Sequence, residues 1–219
     1  MLMFDLHCHS LFSDGELVLS ELVRRLEVKG YDAVCVTDHA DESNIDFIMN
    51  GITKAYQDIN RYSETKLIPG IELTHVYPNR LRSLTEKARA LGAKIVVCHG
   101  ETIVEPVVPG TNKAAIEAGV DILAHPGIIS REDVLLAKKK GVLLEISGRK
   151  GHSLTNGHVA ALATEIGARL VINSDGHAPG DFMEPSHARN VGIGAGLSIE
   201  AVEDIYEVNW RWLQKILKG

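Results

Sequence analysis

The sequence predicts an α/β fold of parallel strands closed, or nearly closed, into a barrel, and three observations lead there. Strand-like and helix-like segments alternate through about seven successive units. The strand segments, such as Ala33-Val34-Cys35-Val36 and Ile95-Val96-Val97-Cys98, are apolar at both alternations, as strands covered by helices on both faces should be. Finally, every strand delivers a metal-competent side chain at its C-terminal end: His7/His9, His39, Glu72, His99, His125, Glu145 and Asp175/His177. Alternation alone also fits an open doubly wound sheet. In that sheet the polar ends would lie along an edge, whereas a barrel gathers them in a ring around one axis.

Taken in order, residues 3–7 form the first strand. Residues 17–29 carry Leu19, Leu22, Val23 and Leu26 at helical spacing and stop at Gly30. The second strand, 32–37, runs into Asp38-His39, and a helix over 46–63 leads to a third strand over 66–72. Pro69-Gly70 inside that strand implies a bend, because proline cannot donate to a ladder. A helix over 79–91 is closed by Gly92, and the strand 93–98 ends at His99. Thr111 is expected to cap a short helix running to 118, and the strand 121–124 ends at His125-Pro126. Ser130 caps a helix through 140, followed by a strand over 142–146, a helix over 153–166 and a strand over 169–173. A long loop rich in glycine and proline comes next, then a final helix over 198–218. On that helix Val202, Ile205, Tyr206, Leu213, Ile216 and Leu217 share a face, and Asn209 within the stripe reads as a buried amide tied to a nearby backbone. There is no linker, repeat or low-complexity tract, so residues 1–219 are expected to form a single domain.

Bulk properties fit a soluble globular chain: 219 residues, 45% hydrophobic and 24% charged. No apolar run approaches the roughly 18 residues that span a bilayer, and no membrane partner is expected. The start, Met1-Leu2-Met3-Phe4, reads as no signal peptide. Three cysteines, each in or beside an apolar strand, argue against disulfides and make a reducing cytoplasm the expected location. Cys8, Cys35 and Cys98 are read as small buried apolar residues. The net charge of -6 does not exclude an anionic substrate, because bound divalent ions would cancel most of it.

The chemistry starts at Asp5-Leu6-His7-Cys8-His9-Ser10. Alternate side chains of a strand share a face, so His7 and His9 project together and make half of a metal site. A single histidine after a strand is usually a loop or capping residue. Six of the ten histidines at strand ends, with acidic partners, point to a metal centre instead.

The ordered set His7-Cys8-His9 with Ser13-Asp14-Gly15, Thr37-Asp38-His39, Gly70-Ile71-Glu72, His99-Gly100-Glu101, His125-Pro126 and Ser174-Asp175-Gly176-His177 resembles the PHP (polymerase and histidinol phosphatase) family. The motifs are short, but their order and spacing match from residue 5 to 177. The resemblance implies a distorted (β/α)7 TIM-like barrel with a di- or trinuclear metal centre that hydrolyses a phosphate ester. It also implies nine ligands: His7, His9, Asp14, His39, Glu72, His99, His125, Asp175 and His177. Asp14 stands where some members have histidine. On this pattern His7, His9, Glu72 and Asp175 hold one ion. His99 and His125 hold a second, bridged by Glu72, while Asp14, His39 and His177 hold a third. The cofactors implied are thus two or three divalent ions, and this donor set suits zinc, manganese or iron. Catalysis is expected from a metal-bridging hydroxide held by Glu72 and Asp175, with no serine or cysteine nucleophile.

Asp38 and Glu101, beside ligating histidines, are read as carboxylates that fix imidazole tautomers. Arg149 and Lys150, at the end of the sixth strand, and Arg189 are candidates to bind the substrate phosphate. His75, His152, His158 and His187 fall outside the ligand set; His152, following the Arg149-Lys150 turn, is read as a surface residue, with substrate contact the alternative.

The expected substrate is a small phosphomonoester, with L-histidinol phosphate one candidate. Histidinol phosphatases of the family tend to be longer, however, with insertions around the barrel mouth. A phosphodiesterase or nuclease reading is disfavoured because no basic nucleic-acid module accompanies the barrel. A noncatalytic RNA-binding subunit on the same fold would be basic and would have lost the ligands. An amidohydrolase would need eight strands and often a bridging lysine where His99 ends a middle strand. Oligomeric state is not legible in the sequence.

Overall fold

The structure, a computed structural model, describes residues 2–218. Seven parallel strands run in the order β1 (Phe4–Cys8), β2 (Ala33–Val36), β4 (Lys66–Leu73), β5 (Ile95–His99), β6 (Ile122–Ala124), β7 (Leu143–Ser147) and β8 (Leu170–Asn173), and a two-residue strand β3 (His39–Ala40) pairs with β4. Eight α-helices alternate with them: α1 (Leu19–Val28), α2 (Ile45–Tyr62), α3 (Leu81–Ala90), α4 (Thr111–Ala118), α5 (Arg131–Lys140), α6 (Asn156–Ile166), α7 (Pro185–Gly194) and α8 (Ile199–Lys218).

The first and last strands meet without a full ladder. One parallel bridge joins Cys8 to Gly176 beyond β8, with the His9 amide donating to the Gly176 carbonyl at 2.9 Å. Side chains complete the seam. Leu6 N–H donates to Asn173 Oδ1 (3.0 Å), and Ser174 N–H donates to Asp5 Oδ2 (3.0 Å). The barrel is therefore nearly closed, as the ring of polar strand ends required.

The Pro69-Gly70 pair acts by changing partners within an unbroken strand. β2 pairs with β4 only as far as Pro69, β5 begins pairing at Gly70, and β3 takes over from Glu72. The strand can thus carry a proline and still deliver Glu72 to the centre.

The core is the apolar content of the strands against the inner stripe of each helix. Leu19, Leu22, Val23 and Leu26 of α1 are buried, as their spacing predicts, each such aliphatic side chain contributing on the order of 1.5–3 kcal/mol. All three cysteines are free and buried. On α8, Val202, Tyr206 and Leu213 are buried while Leu217 is partly exposed. Asn209 Nδ2 donates to the Leu170 carbonyl at 2.8 Å, and its Oδ1 accepts from Arg169 (2.8 Å).

Two local expectations need correction. The stretch after β8 holds the helix α7, started by Pro185 at its first turn, where proline's missing N–H costs nothing. Its only buried residues are Ala188 and Gly192, too small to leave an apolar period in the sequence. Thr111 is the first residue of α4 and not its cap; its hydroxyl turns back to the Val108 carbonyl (2.6 Å). Ser130, by contrast, caps α5 by accepting from Asp133 N–H at 3.1 Å.

Candidate metal centre

Glu72, fully buried at the end of β4, is the hub of the strand ends. Its Oε1 lies 3.3 Å from His7 Nε2 and 3.8 Å from His125 Nε2. Its Oε2 lies 2.6 Å from His39 Nδ1 and 3.9 Å from His9 Nε2. Asp175, just past β8, is a second hub: Oδ1 is 3.3 Å from His9 Nε2 and 3.5 Å from His177 Nδ1, and Oδ2 is 3.7 Å from His125 Nε2. Four strands and the segment after a fifth thus place five imidazoles around two carboxylates.

Local backbone sets these directions. His125 (φ 26°) and Asp175 (φ 53°) both adopt positive φ, rare for residues with a Cβ and costing about 1–3 kcal/mol each. The kinks turn both side chains off the strand line. After β1 the chain doubles back tightly: a Cβ at position 15 would sit 2.3 Å from the His9 carbonyl oxygen, so only Gly15 fits. That turn brings Asp14 Oδ1 to 3.2 Å from His177 Nε2 and 3.6 Å from His39 Nε2.

Several buried atoms here have no hydrogen-bond partner: His7 Nε2, both ring nitrogens of His9, Glu72 Oε1 and His125 Nδ1. Leaving such groups unpaired costs about 1–3 kcal/mol each, and among them His7 Nε2 and Glu72 Oε1 lie at a ligand-to-ligand separation of 3.3 Å. Among the described residues, groups whose donor atoms all lie within 4.8 Å of one another include His9, Asp14, His39 and His177; His7, His9 and Asp175; and His99, His125 and His152. Imidazole nitrogens and carboxylate oxygens are the donors of zinc, manganese and iron sites, so these clusters fit divalent ions.

Burial pushes Glu72 towards its neutral form, but the His7 and His39 imidazoles outweigh it and hold the carboxyl well below the usual range. Asp175 goes the other way, raised to about 7 chiefly by burial; His7 opposes the rise, while Glu72 and Glu145 add to it. Burial, with His39 and His7 beside it, holds His9 well below its ordinary value, which keeps the ring neutral and one of its nitrogens free to donate a lone pair to a cation.

The structure brings together all nine residues expected as ligands, with His99 slightly apart, its Nε2 3.1 Å from Glu105 Oε2. The two carboxylates expected to fix tautomers do other work. Asp38 accepts from the backbone and hydroxyl of both Ser10 and Ser13, pinning the turn that carries Asp14. Glu101 Oε1 accepts from Gly110 and Asn112 N–H, closing the N-terminus of α4. Being short of reach and already saturated, neither touches an imidazole. The tautomer-setting role falls to Glu145 on β7, with Oε1 2.8 Å from His7 Nδ1. Its remaining bonds come from Asn173 Nδ2 (2.9 Å) and His125 N–H (3.0 Å). The sequence signal for it was an acid inside the apolar run Leu143-Leu144-Glu145-Ile146.

Arg149 is half-buried at the rim. Its guanidinium donates to the Asp175 carbonyl (3.1 Å) and lies 2.7 Å from His177 Nδ1. Lys150 is exposed and lines an adjoining cavity, whereas Arg189 lies on α7, paired with Glu203 of α8 (3.2 Å) and away from the cluster. His152, expected at the surface, is 5% exposed and stacks on His125 with ring centroids 4.0 Å apart. Glu105 was not anticipated at all; it contacts His99, His152 and His75 from a loop with no sequence pattern to mark it. Asp14, His39, His99, His125, Arg149 and His177 are among the residues lining a cavity of about 170 Å³ at the barrel mouth. A second cavity of about 570 Å³, lined by Lys29, Lys150, Phe182 and His187 among others, shares Arg149 with it.

Comparison with known proteins agrees with the geometry. The model of the PHP domain family matches residues 5–163. An uncharacterized protein of Methanocaldococcus jannaschii is 46% identical over 203 residues, covering 92% of this chain and 93% of its own. A probable phosphatase of Thermoanaerobacter sp. is 27% identical over 226 residues, covering 92% of this chain and 89% of its own. Among solved structures, histidinol phosphate phosphatase of Lactococcus lactis, crystallised with zinc, L-histidinol and phosphate, has the same fold. It superposes with a TM-score of 0.62 at 15% identity, over 90% of this chain and 94% of that one. Among the described residues, no helix is long and apolar enough to cross a membrane.

Proposed function

Because the chain belongs to the PHP domain family, we propose that it is a metal-dependent phosphoesterase that hydrolyses a small phosphomonoester. The observation carrying this reading is that four imidazoles, from His7, His9, His39 and His125, converge within 3.9 Å of the single buried carboxylate of Glu72. Such a set is costly to bury without a cation and of no evident structural use.

In this reading His7, His9, Glu72 and Asp175 would hold one ion, His99 and His125 with Glu72 a second, and Asp14, His39 and His177 a third. Divalent ions held there, zinc, manganese or iron, would supply a water of lowered pKa and charge to balance the phosphoryl oxygens. The chain's own groups do the rest. Glu145 keeps the proton of His7 on Nδ1, so that Nε2 presents its lone pair to the centre. Arg149, between the two cavities, would turn its guanidinium onto a phosphoryl oxygen, a charge-assisted contact matched to that geometry. The 170 Å³ cavity suits a phosphoryl group, and the alcohol part would extend into the adjoining 570 Å³, against Phe182 and beside Lys150. L-Histidinol phosphate, related to what the Lactococcus lactis structure binds, is one candidate of suitable size.

The test is a panel of phosphomonoesters and phosphodiesters assayed with protein whose metal content has been measured. Monoester hydrolysis that requires bound metal is expected. Absence of hydrolysis of any ester, by protein carrying two or more ions per chain, would sink the proposal. Diesters cleaved in preference to monoesters would move the reading to a nuclease or phosphodiesterase.

A further inference from the structure

We propose that His152 is a further metal ligand, donating through Nε2 to the ion held by His99 and His125. This rests on the metal-centre reading and adds a donor that the nine-residue set does not contain.

Three independent pieces of geometry support it. One nitrogen from each of His99, His125 and His152 lies within 4.8 Å of the others, and all three residues are buried. With Glu72 shared with the neighbouring ion, His99 and His125 give this ion only two donors of its own, whereas three protein ligands are the usual complement of a catalytic zinc. The ring of His152 is also held at its far end: Nδ1 lies 2.9 Å from Thr102 Oγ1, itself buried. A partner on one ring nitrogen fixes the orientation in which the other is offered, which is how ligating histidines are ordinarily supported.

The third piece is where the two outer nitrogens aim. His99 Nε2 is 3.1 Å from Glu105 Oε2, and His152 Nε2 is 3.4 Å from Glu105 Oε1. One carboxylate reached by both nitrogens marks a common point between them. On its inner side, His152 Nε2 comes within 3.9 Å of Asp175 Oδ2, so the same nitrogen faces a carboxylate of the main cluster. His99 is oriented in the same manner as His152, its Nδ1–H donating to the Gly100 carbonyl at 3.2 Å. The chain reaches this place through Gly151, whose φ of 92° turns it inward immediately before the imidazole.

The experiment is zinc titration of the full-length metal-depleted protein against a chromophoric chelator, with stoichiometry checked by elemental analysis. Wild type, His152→Ala, His152→Gln and Thr102→Val are compared, and circular dichroism confirms the fold of each. Both His152 variants should lose one equivalent of zinc, or bind it at least 10–100-fold more weakly, and Thr102→Val should weaken the same equivalent by about 10-fold. Cobalt substitution gives a second reading: the visible absorption of one Co²⁺ equivalent should change in His152→Gln and not in a control outside the cluster such as His158→Gln, whose ring is held by the Ile129 carbonyl. Unchanged zinc stoichiometry and affinity in a folded His152 variant would overturn the inference and leave the metal centre standing, even if KM rose. A wild-type protein that binds no zinc, manganese or iron would overturn the metal-centre reading itself.

Discussion

Glu145 Oε1 lies 2.8 Å from His7 Nδ1, with both side chains fully buried, and this carboxylate decides which face of the imidazole is available. A carboxylate only accepts, so the proton of His7 stays on Nδ1 and Nε2 faces Glu72. Glu145→Gln keeps the shape but offers an amide that can donate to the same nitrogen. Metal affinity at the His7 site should fall about 10–100-fold with little change in fold, as read by competition with a chelator. Unaltered affinity would remove Glu145 from its assigned role.

His9 forms no hydrogen bond through either ring nitrogen. His9→Ala should therefore abolish activity and one equivalent of metal. His9→Gln should cost the metal-free protein little stability while erasing much of the rise in Tm that metal produces in wild type. Retained activity in either variant would refute its assignment as a ligand.

Arg149 and Arg189 should separate cleanly. A charge-assisted hydrogen bond is worth about 1.5–3 kcal/mol, so Arg149→Ala should lower kcat/KM by about 10- to 150-fold. Arg189, paired with Glu203 of α8 and not among the residues lining either cavity, should give an alanine variant within about twofold of wild type. Steady-state kinetics on the best monoester decides between them.

Glu27, near the end of α1, gathers Arg24, the Glu64 amide and the Ser63 hydroxyl, the Arg24 contact being the main reason its carboxyl falls from 4.5 to about 2. A depressed carboxylate stabilises the fold above its unfolded value and loses that contribution as pH falls through its folded value. The Tm gap between wild type and Glu27→Gln should thus be constant above pH 4.5 and close between there and about pH 2. A gap that widened on acidification would contradict the assignment.

Asn209 satisfies the Leu170 carbonyl and the Arg169 guanidinium at once. Asn209→Leu fills the same space and strands both partners, so urea denaturation should show a loss of about 1–3 kcal/mol.

The sequence exposes those parts of the molecule whose residues obey a period. Strands apolar on both faces and helices with a single stripe gave the barrel, and histidines at strand ends gave its mouth. What stayed hidden lacks a period. α7 buries only Ala188 and Gly192, and β3 is two residues long. Glu105 reaches the centre from a loop and His152 from the first residue of a single 3-10 turn (His152–Thr155), where direction depends on turns such as the one at Gly151 rather than on alternation. Asp38 and Glu101 show the converse error: adjacency to a histidine in sequence does not put a carboxylate beside its ring, and both hold backbone amides instead.

The seam between β1 and β8 gives the ions a second consequence. It is stitched by Leu6 to Asn173 and Asp5 to Ser174, contacts spanning 167 and 169 residues of chain. His7 and His9 stand on one side of it and Asp175 and His177 on the other. A cation shared between them would join the two ends of a long polymer loop whose closure is entropically costly. Occupancy would then act as a clasp on the barrel. Amide exchange in β1 and β8 should slow markedly when metal is added, while β5 and β6, tied by continuous ladders, should respond less.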